Sequence, residues 1–402
     1  MIQYTHVSRA GGARYVFELV RHLGKVRDDV TLVCPMDFQF WEELRECEGV
    51  RVQPLLPSPV SAEGRKVELA ICLLRQAFVG LWSVLRAPRN ERLVHANFPG
   101  LTVLAMPTLA LWRIVGKKVV FTVHDVIPHR WLFPRFARRL EIGILWACYH
   151  VANHLIVHHS DAKRELEKRF GIRPDRISII PHGSFSLGAE PLPMPTGEAE
   201  RVVLLFGAIR ENKGIHLAIK AVQQLRREGH GVILKICGPS CMSEQLYWER
   251  CKELIASNPD GIIVSERYIS DTELSGIIER SHFFLLPYTE FHSQSGVAAL
   301  ALSNGRPIIA TQAGGLMDVV IPGKTGVVIT GSTVSDVRNA LHDAIRMSDD
   351  ELRAMASSCS TLFRTEYSWS RIATVHSALY NHLAPERNAG QLRAEVRNTI
   401  DD

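Results

Sequence analysis

The sequence has no apolar run long enough to cross a membrane and no cysteine pattern typical of a metal site. Its most apolar window, residues 101–115, contains Arg113 and falls short of the roughly 20 residues that a transmembrane helix needs. The eight cysteines include no Cys-x-x-Cys pair, which argues against a zinc site or a disulfide framework. The first twelve residues lack the charged-then-apolar order of a signal peptide. We therefore expect a protein of the reduced cytoplasm.

Other absences narrow the chemistry. No Asp-x-Asp sequence occurs, so we expect no metal site and no cofactor. No Gly-x-Gly-x-x-Gly follows the first apolar run, which disfavours a dehydrogenase or another dinucleotide enzyme. The turn at residues 323–326 reads Gly-Lys-Thr-Gly, but the glycine spacing before it is wrong for a P-loop.

The size and composition that remain are those of an ordinary globular protein with two domains. A chain of 402 residues is too long for one core of usual size, and 46% hydrophobic with 22% charged residues is normal for a soluble protein. The net charge of +5 is unevenly distributed. Residues 1–195 hold 26 Lys+Arg against 18 Asp+Glu, and the remainder holds 21 against 24.

One stretch of the basic half, residues 130–139, mixes arginines with aromatic side chains. Such a segment can lie on an anionic membrane surface, and the alternative is a solvated, irregular loop. The sequence leaves both readings open. No nucleic-acid-binding motif accompanies the charge, so we expect no nucleic-acid partner.

Short apolar runs alternate with helical patterns along the chain, which is typical of parallel sheets covered by helices. A proline-rich stretch without periodicity, residues 184–200, separates two such series and is interpreted as a linker. The sequence thus predicts an α/β protein with domains at residues 1–184 and 185–368. A last amphipathic helix follows at residue 369.

The most informative stretch runs from residue 283 to residue 315 and reads as strand, loop, helix, strand and loop. The helix predicted after Gln294-Ser295-Gly296 would present free N–H groups and the positive end of its dipole, which together bind anions. Gln294 and Ser295 can donate side-chain hydrogen bonds, and Gly296 lets a ligand approach the backbone. The alternative is an ordinary turn between a strand and a helix.

Other candidate residues follow predicted strands. Gly12 comes after the first strand, and His124 and His182 come directly after later ones. Ligands of open α/β sheets lie at these strand ends, although each histidine alone could be structural. In the second domain, Arg210 and Lys213 occupy a glycine-bounded loop where two cations could bind one phosphate. The alternative is a pair of solvated loop cations.

Taken together and in this order, these residues resemble the GT-B glycosyltransferases of the retaining family 4 type. The landmarks also include a glycine at residue 207, a Gly-x-Pro at 305–307, a Gly-Gly pair at 314–315 and a tryptophan at 369. The resemblance implies two Rossmann-like doubly wound domains facing across a cleft. It also implies a sugar nucleotide held mainly by the second domain and an acceptor at the first. The final helix, residues 369–402, would pack back on the first domain.

The resemblance also implies roles for individual residues. Arg210, Lys213 and the N–H groups around Ser295 to Val297 would stabilise the leaving diphosphate. His124 would contact the sugar, and His182 would lie near the hinge. The remaining expected donor-binding residues are Gly12, Gly207, Glu290, Gln294 and Gly296.

The sequence departs from the common family pattern in two places. Many relatives carry two glutamates eight residues apart in the stretch that corresponds to residues 283–315, and the matching positions here are His292 and Leu300. Leucine cannot accept a ribose hydroxyl, so Glu290 is the candidate replacement. The usual arginine after the first loop glycine is replaced by Ala208, with Arg210 two places later. The chain resembles a subgroup with a Gln-Ser-Gly turn at this site.

The predicted activity is transfer of a sugar from a nucleotide diphosphate sugar to a hydroxyl of a glycan or lipid-linked acceptor, with retention of configuration. Bacterial surface or exopolysaccharide synthesis is the expected setting, in the cytoplasm or on the inner face of the membrane. Alternatives are a catalytically silent nucleotide-binding subunit of a glycan-assembly complex and a sugar-nucleotide epimerase on the same fold. Two-carboxylate glycosidase chemistry is disfavoured, because no carboxylate stands out as nucleophile.

Overall fold

The computed structural model describes residues 1–55, 78–85, 91–99, 102–127, 131, 133–184, 187–188, 191–291 and 294–385. Within this part the chain forms two compact units. The first comprises residues 1–157, 165–180 and those from Ile372 on, and the second comprises residues 158–164 and 181–371. Arg130 and Leu132 of the basic stretch, His292, and the tail beyond residue 385 lie outside the described residues.

The first unit is built on a seven-stranded sheet in the order β3-β2-β1-β4-β5-β6-β7, and every pair of neighbours is parallel. The strands are β1 Ile2–Thr5, β2 Val30–Pro35, β3 Val50–Leu55, β4 Leu93–Phe98, β5 Lys118–Thr122, β6 His154–Val157 and β7 Ile177–Ile179. Helices that belong wholly to this unit include Ala10–Gly24, Trp41–Arg45, Thr102–Ile114 and Arg138–Val151. The helices Ser160–Phe170 and Trp369–Leu383 contribute residues to both units.

The second unit contains a six-stranded parallel sheet in the order β10-β9-β8-β11-β12-β13. Its strands are β8 Arg201–Phe206, β9 Val232–Cys237, β10 Ile262–Ser265, β11 Phe283–Leu286, β12 Ile308–Thr311 and β13 Gly326–Ile329. The helices are Ile215–Arg227, Gln245–Ser257, Asp271–Glu279, Gly296–Ser303, Val334–Ile345 and Asp349–Leu362. The predicted α/β class with two parallel sheets is confirmed.

The hydrophobic residues of the central strands explain why these sheets form. All four residues of β11 and all four of β12 are buried, as expected for strands covered by helices on both faces. In each sheet the strand order reverses at one point, between β1 and β4 in the first unit and between β8 and β11 in the second. The loops that leave the carboxyl ends of these strands diverge to opposite faces, and the crevice between them is where such sheets bind ligands.

The segment predicted as a linker is anchored to the second unit by a buried arginine. The Arg306 side chain is fully buried, and its guanidinium donates to the carbonyls of Leu192 at 2.9 Å and Pro193 at 2.6 Å. It also donates to the carbonyl of Ile278 at 3.1 Å. Because five donors lie in one plane, a single guanidinium can join backbone groups from two distant parts of the chain.

The last helix supplies side chains to the core of the first unit. The hydroxyl of Tyr380 accepts a hydrogen bond from Gln3 Nε2 at 3.1 Å and lies 2.7 Å from Nδ1 of His95. Nε2 of His95 in turn lies 2.6 Å from the hydroxyl of Thr122 on β5.

No helix among the described residues combines the length and the apolar character needed to span a membrane.

Candidate active site

The loop that follows β8 is shaped by two glycines in left-handed conformations, Gly207 with φ 104° and Gly214 with φ 63°. A Cβ atom on Gly214 would lie 2.1 Å from the carbonyl oxygen of Pro287, so this position requires glycine. The backbone N–H of Thr289 donates to the carbonyl of Asn212 at 2.9 Å. The loops after β8 and β11 are thereby fixed against each other at the point where the strand order reverses.

Lys213 lies in the loop after β8 and faces the loop after β11. Its Nζ donates to the carbonyl of Phe206 at 3.2 Å and lies 5.8 Å from the centre of the Tyr288 ring. A Cβ on Gly207 would lie 2.6 Å from that nitrogen, so the glycine leaves room for the ammonium. Burial, reinforced by the neighbouring Arg210, lowers the pKa of Lys213 to about 8. The result is a poorly hydrated cation that an anion would stabilise.

The loop from Gly207 to Gly214 is called here the lysine loop. The helix Gly296–Ser303 begins next to it. Ser295 is its N-cap, and the Ser295 Oγ accepts a hydrogen bond from the N–H of Ala298 at 3.2 Å. Gly296 is exposed, and a Cβ built on it would meet no atom within 4 Å. A Cβ on Gly207 would lie 3.7 Å from Val297, which brings the start of the helix to the lysine loop. As the first two helical residues, Gly296 and Val297 have N–H groups without partners inside the helix.

Tyr288 lies close to both the lysine loop and the helix Gly296–Ser303. Its ring centre lies 5.8 Å from the Nζ of Lys213, and Tyr288 packs in the same hydrophobic cluster as Ala298 of the helix. Tyr288 itself is buried. A positive side chain and the positive end of a helix dipole are therefore held at one edge of the sheet, which is an arrangement that binds phosphate groups.

A cavity of about 530 Å³ opens beside the same loops. Its wall contains one arginine, three carboxylates and three smaller polar side chains: Arg210, Glu211, Glu244, Glu290, Asn212, Ser243 and Thr289. Arg210 is exposed and so keeps its guanidinium available to an incoming ligand. Carboxylates beside a cation can accept hydrogen bonds from sugar or ribose hydroxyls.

Gln294 and His182 are in direct contact within the second unit. The Gln294 Oε1 accepts a hydrogen bond from the N–H of His182 at 2.5 Å, which leaves the Gln294 amide group as the donor. The His182 ring packs edge-on against Trp369 with centroids 5.8 Å apart, and burial lowers the pKa of His182. Gly183 next to it is closely packed, because a Cβ there would lie 2.4 Å from the Trp369 ring.

The first unit places two predicted residues around one aromatic side chain. The His124 ring stacks on Phe98 with centroids 3.8 Å apart, and it meets the edge of Tyr15 at 5.1 Å. A Cβ on Gly12 would lie 3.4 Å from the Phe98 ring. Gly12 follows β1, Phe98 is the last residue of β4 and His124 follows β5, next to the strand reversal of the first sheet.

Two further features of the structure bear on the predicted donor site, the start of the helix after β1 and the burial of Leu300. The helix after β1 begins at Ala10 and includes Gly11 and Gly12 in its first turn, so Gly12 is itself helical. A helix can start on small residues because its first N–H groups need no intrahelical partner. Leu300 is buried in the hydrophobic core of the second unit, so its side chain accepts no hydrogen bond from a ligand.

Sequence reasoning missed several residues that the structure brings to these sites. They are Tyr288 beneath Lys213, Ser243 and Glu244 in the cavity wall, and Phe98 with Tyr15 around His124. Tyr288 and Phe98 occupy strand ends, which is the signal that could have identified them. Within the described residues, no group of three or more His, Cys, Asp or Glu side chains is arranged to hold a metal ion.

Two family models match the chain, one in each half. The family model described as Glycosyltransferase Family 4 matches residues 9–184, and the model described as Glycosyl transferases group 1 matches residues 193–359. A glycogen synthase of Mycobacterium tuberculosis (strain H37Rv) is 26% identical over 300 residues, which cover 72% of this chain and 68% of the relative. A D-inositol 3-phosphate glycosyltransferase of Corynebacterium glutamicum (strain R) is 26% identical over 381 residues, covering 86% and 85%.

Solved structures share the fold over nearly the whole chain. A glycosyltransferase from Rickettsia africae has a TM-score of 0.71 at 14% identity and covers 96% of this chain and 98% of its own. Anabaena Alr3699/HepE in complex with UDP and glucose has a TM-score of 0.67 at 16% identity, with coverage of 95% and 99%. At these identities the likeness shows the fold alone.

Proposed function

Because the chain belongs to the GT-B glycosyltransferases of the family 4 type and uses a nucleotide sugar, we propose that it transfers a hexosyl group with retention of configuration. The acceptor would be a hydroxyl of a glycan or of a lipid-linked glycan. The observation that carries this proposal is the cation of Lys213 beside the first turn of the helix Gly296–Ser303. That pairing suits a diphosphate leaving group.

The leaving diphosphate gains negative charge as the bond between the sugar carbon and the phosphate oxygen breaks. Lys213 would donate to it as a partly dehydrated cation. Arg210, which lines the cavity, would form bidentate hydrogen bonds with it. The N–H groups of Gly296 and Val297 would meet phosphate oxygens at the positive end of the helix dipole. These donors are fixed before the reaction, so little reorganisation opposes the developing charge.

Retention follows if the acceptor attacks the face that the diphosphate leaves. The electron pair of the broken bond goes to the phosphate oxygen, and the acceptor oxygen forms the new bond to the anomeric carbon. The acceptor proton passes to the departing phosphate. No side chain is assigned as general base in this scheme, and His124 contacts the sugar hydroxyls.

The reaction would need no metal ion, since Arg210, Lys213 and the helix N-terminus supply positive charge where a metal would otherwise act. Glu290 would take over hydroxyl recognition from the position occupied by Leu300, because it lines the cavity that contains Arg210. Gln294 would donate from its amide nitrogen, and Gly207 and Gly12 would let the donor approach the backbone. His182 would help to close the domains around the donor.

We place this activity in bacterial surface or exopolysaccharide synthesis, at the cytoplasmic side of the membrane. The glycogen synthase of Mycobacterium tuberculosis supports a carbohydrate acceptor by its name. The basic first half of the chain supports an acceptor that is attached to an anionic membrane.

A second candidate is a silent subunit that binds a nucleotide in a glycan-assembly complex. The apolar side chain of Leu300, where many relatives carry an acid, favours it. This candidate predicts nucleotide binding without turnover. An epimerase, by contrast, would change the donor sugar with no acceptor present.

The experiment is a thermal-shift panel of nucleoside diphosphates in EDTA, followed by assays with the matching sugar nucleotides. A nucleotide at about 100 times its Kd should add roughly 2.7 kcal/mol of stability. We expect the shift to be lost in Arg210→Ala and Lys213→Ala and retained in Lys220→Ala, an exposed lysine on the helix Ile215–Arg227. Acceptor-dependent release of nucleotide then identifies the transferase. Binding without release supports the silent subunit, and no shift with any nucleotide refutes both.

A further inference from the structure

The first unit carries an exposed face that combines bulky apolar side chains with arginines. It consists of Arg135, Phe136, Arg139, Leu140 and Trp146, and it is called here the arginine–aromatic face. Phe136 is 89% exposed, Leu140 61% and Trp146 49%. Side chains of this size are costly to leave in water, and exposed groups of them mark interaction surfaces.

The helix Arg138–Val151 explains why these side chains point outward. Its buried side consists of Glu141, Leu145, Cys148 and Tyr149, which pack into the unit. Phe136 lies on the 3-10 turn Arg135–Ala137, which runs directly into this helix. Since the buried side already meets the core, the opposite side remains available for a partner.

The charged side chains of this face are all positive. Arginines occupy positions 135, 138 and 139, and Glu141 is the one acidic residue between positions 131 and 151. The Glu141 side chain is buried and accepts a hydrogen bond from the N–H of Phe133 at 3.0 Å. It therefore places no negative charge on the surface, and a negatively charged partner is favoured.

The aromatic residues fit the boundary between lipid and water. Trp146 stacks on His150 with ring centroids 3.8 Å apart and keeps half of its surface exposed. The guanidinium of Arg138 lies 5.2 Å from the centre of the Trp131 ring. Tryptophan flanked by arginine is typical of segments that lie at the headgroup level of a bilayer.

We propose that the arginine–aromatic face is a membrane-contact surface that binds anionic phospholipid headgroups while Phe136, Leu140 and Trp146 enter the acyl boundary. The partner is an anionic bilayer, which complements the single-signed charge and accepts all three apolar side chains. The biological role of this surface rests on the proposed function, because a lipid-linked acceptor would be presented at such a membrane. Binding itself requires no sugar transfer.

The experiment is flotation of the full chain with vesicles of phosphatidylcholine alone or with about one third phosphatidylglycerol, at low and high salt. We expect binding to the anionic vesicles that weakens with salt. The double variant Phe136→Ser/Leu140→Ser should weaken binding at least tenfold, because both side chains lose their apolar contact. Arg135→Gln/Arg139→Gln should weaken it about thirtyfold through the lost charges.

Matched controls come from the second unit. Met242→Ser/Leu246→Ser removes two similarly exposed apolar side chains, and Arg280→Gln/Arg346→Gln removes two exposed arginines. We expect both controls to bind like the wild type. Tryptophan emission should shift to the blue on binding, and Trp146→Phe should abolish most of that shift.

The outcomes separate this surface from the proposed function. Failure of the wild type to bind anionic vesicles, or equal loss in the control variants, overturns the membrane surface. So does a wild type that self-associates in ultracentrifugation through Phe136 and Leu140 while ignoring vesicles. Transfer to a soluble acceptor without vesicle binding refutes the surface alone, whereas vesicle binding without donor binding or turnover refutes the proposed function alone.

Discussion

The imidazole of His124 lies flat against the ring of Phe98, with centroids 3.8 Å apart and planes inclined by 9°. Tyr15 closes a second side, with its ring at 86° to the imidazole. Such contacts restrict the imidazole to one orientation, because stacked and edge-on aromatic pairs have defined geometry. The ring that is proposed to contact the sugar is thus positioned by residues from other parts of the first unit.

Phe98→Leu should lower kcat about tenfold while leaving the KM for the sugar nucleotide nearly unchanged. The substitution keeps an apolar side chain but removes the flat surface that orients His124, and an error in orientation raises the barrier of the chemical step. Steady-state kinetics with the identified donor measures both constants.

The matched control is Phe40→Leu, which disrupts a stacked pair elsewhere in the same unit. Phe40 stacks on Phe17 with centroids 4.7 Å apart. If Phe40→Leu lowers kcat as much as Phe98→Leu, the loss reflects general loosening of the unit, and positioning of His124 by Phe98 is contradicted.

Donor affinity should fall as the pH rises through 8. Burial lowers the pKa of Lys213 to about 8, so the free protein loses this cation above that pH and must take up a proton to bind a diphosphate. The loss approaches tenfold per pH unit well above 8. Calorimetric titration with nucleoside diphosphate from pH 7 to 9.5 measures it.

Lys213→Arg is the diagnostic variant for this pH dependence, because a guanidinium stays charged throughout that range. The variant should bind at pH 7 and lose the fall in affinity above pH 8. A wild type whose affinity is constant from pH 7 to 9.5 would show that Lys213 does not contact the donor.

Gly214→Ala should abolish nucleotide binding in a protein that still folds. The new Cβ would lie 2.1 Å from the carbonyl oxygen of Pro287 and would push apart the loops after β8 and β11. The proposed phosphate contacts depend on both loops. Calorimetry for binding and urea denaturation for stability measure the two effects.

Gly229→Ala is a close control, since Gly229 also has a left-handed conformation, with φ 85°, but a Cβ there meets no atom within 4 Å. It should cost about 1 kcal/mol of stability from the backbone conformation alone and leave nucleotide binding intact. Equal nucleotide affinity in both alanine variants would mean that contact between the loops is not needed.

Arg306→Met should lower the free energy of unfolding of the second unit by about 3 kcal/mol. The substitution keeps an apolar stem of similar length but removes the guanidinium that donates to the carbonyls of Leu192, Pro193 and Ile278. Urea denaturation measures the change. Arg346→Met, at an exposed arginine, should change stability little, and equal stability of the two variants would contradict the anchoring role of Arg306.

The regular elements could be predicted from the sequence because they depend on local patterns. The two strands predicted within residues 283–315 are present as Phe283–Leu286 and Ile308–Thr311, since each is an apolar run next to a proline. For the basic stretch at residues 130–139, the sequence left two structures open, a segment on a membrane surface and a solvated loop. From Arg138 onward it is helical, and the helix is stabilised by a buried side that lies farther along the chain.

The chemistry at the strand ends was only partly predictable. Lys213 and Gly296 were found because glycine-bounded loops and helix starts have sequence signatures. The position of Tyr288 under Lys213 depends on the pairing of β8 with β11, which brings together residues 75 positions apart. Likewise, stacking of Phe98 on His124 follows from the pairing of β4 with β5. Single-sequence patterns do not encode such contacts.

The most direct test is calorimetric binding of nucleoside diphosphate, in EDTA, to the wild type and to Gly296→Pro. Gly296 is the first residue of its helix, and Ser295 before it is extended with φ −90° and ψ 111°. Proline is therefore compatible with this position and removes one N–H group that is proposed to bind phosphate. We expect tight binding of one nucleotide to the wild type, at least tenfold lower affinity in Gly296→Pro, and unchanged affinity in Gly229→Ala. Equal affinity in the proline variant and the wild type would contradict a diphosphate site at the start of this helix.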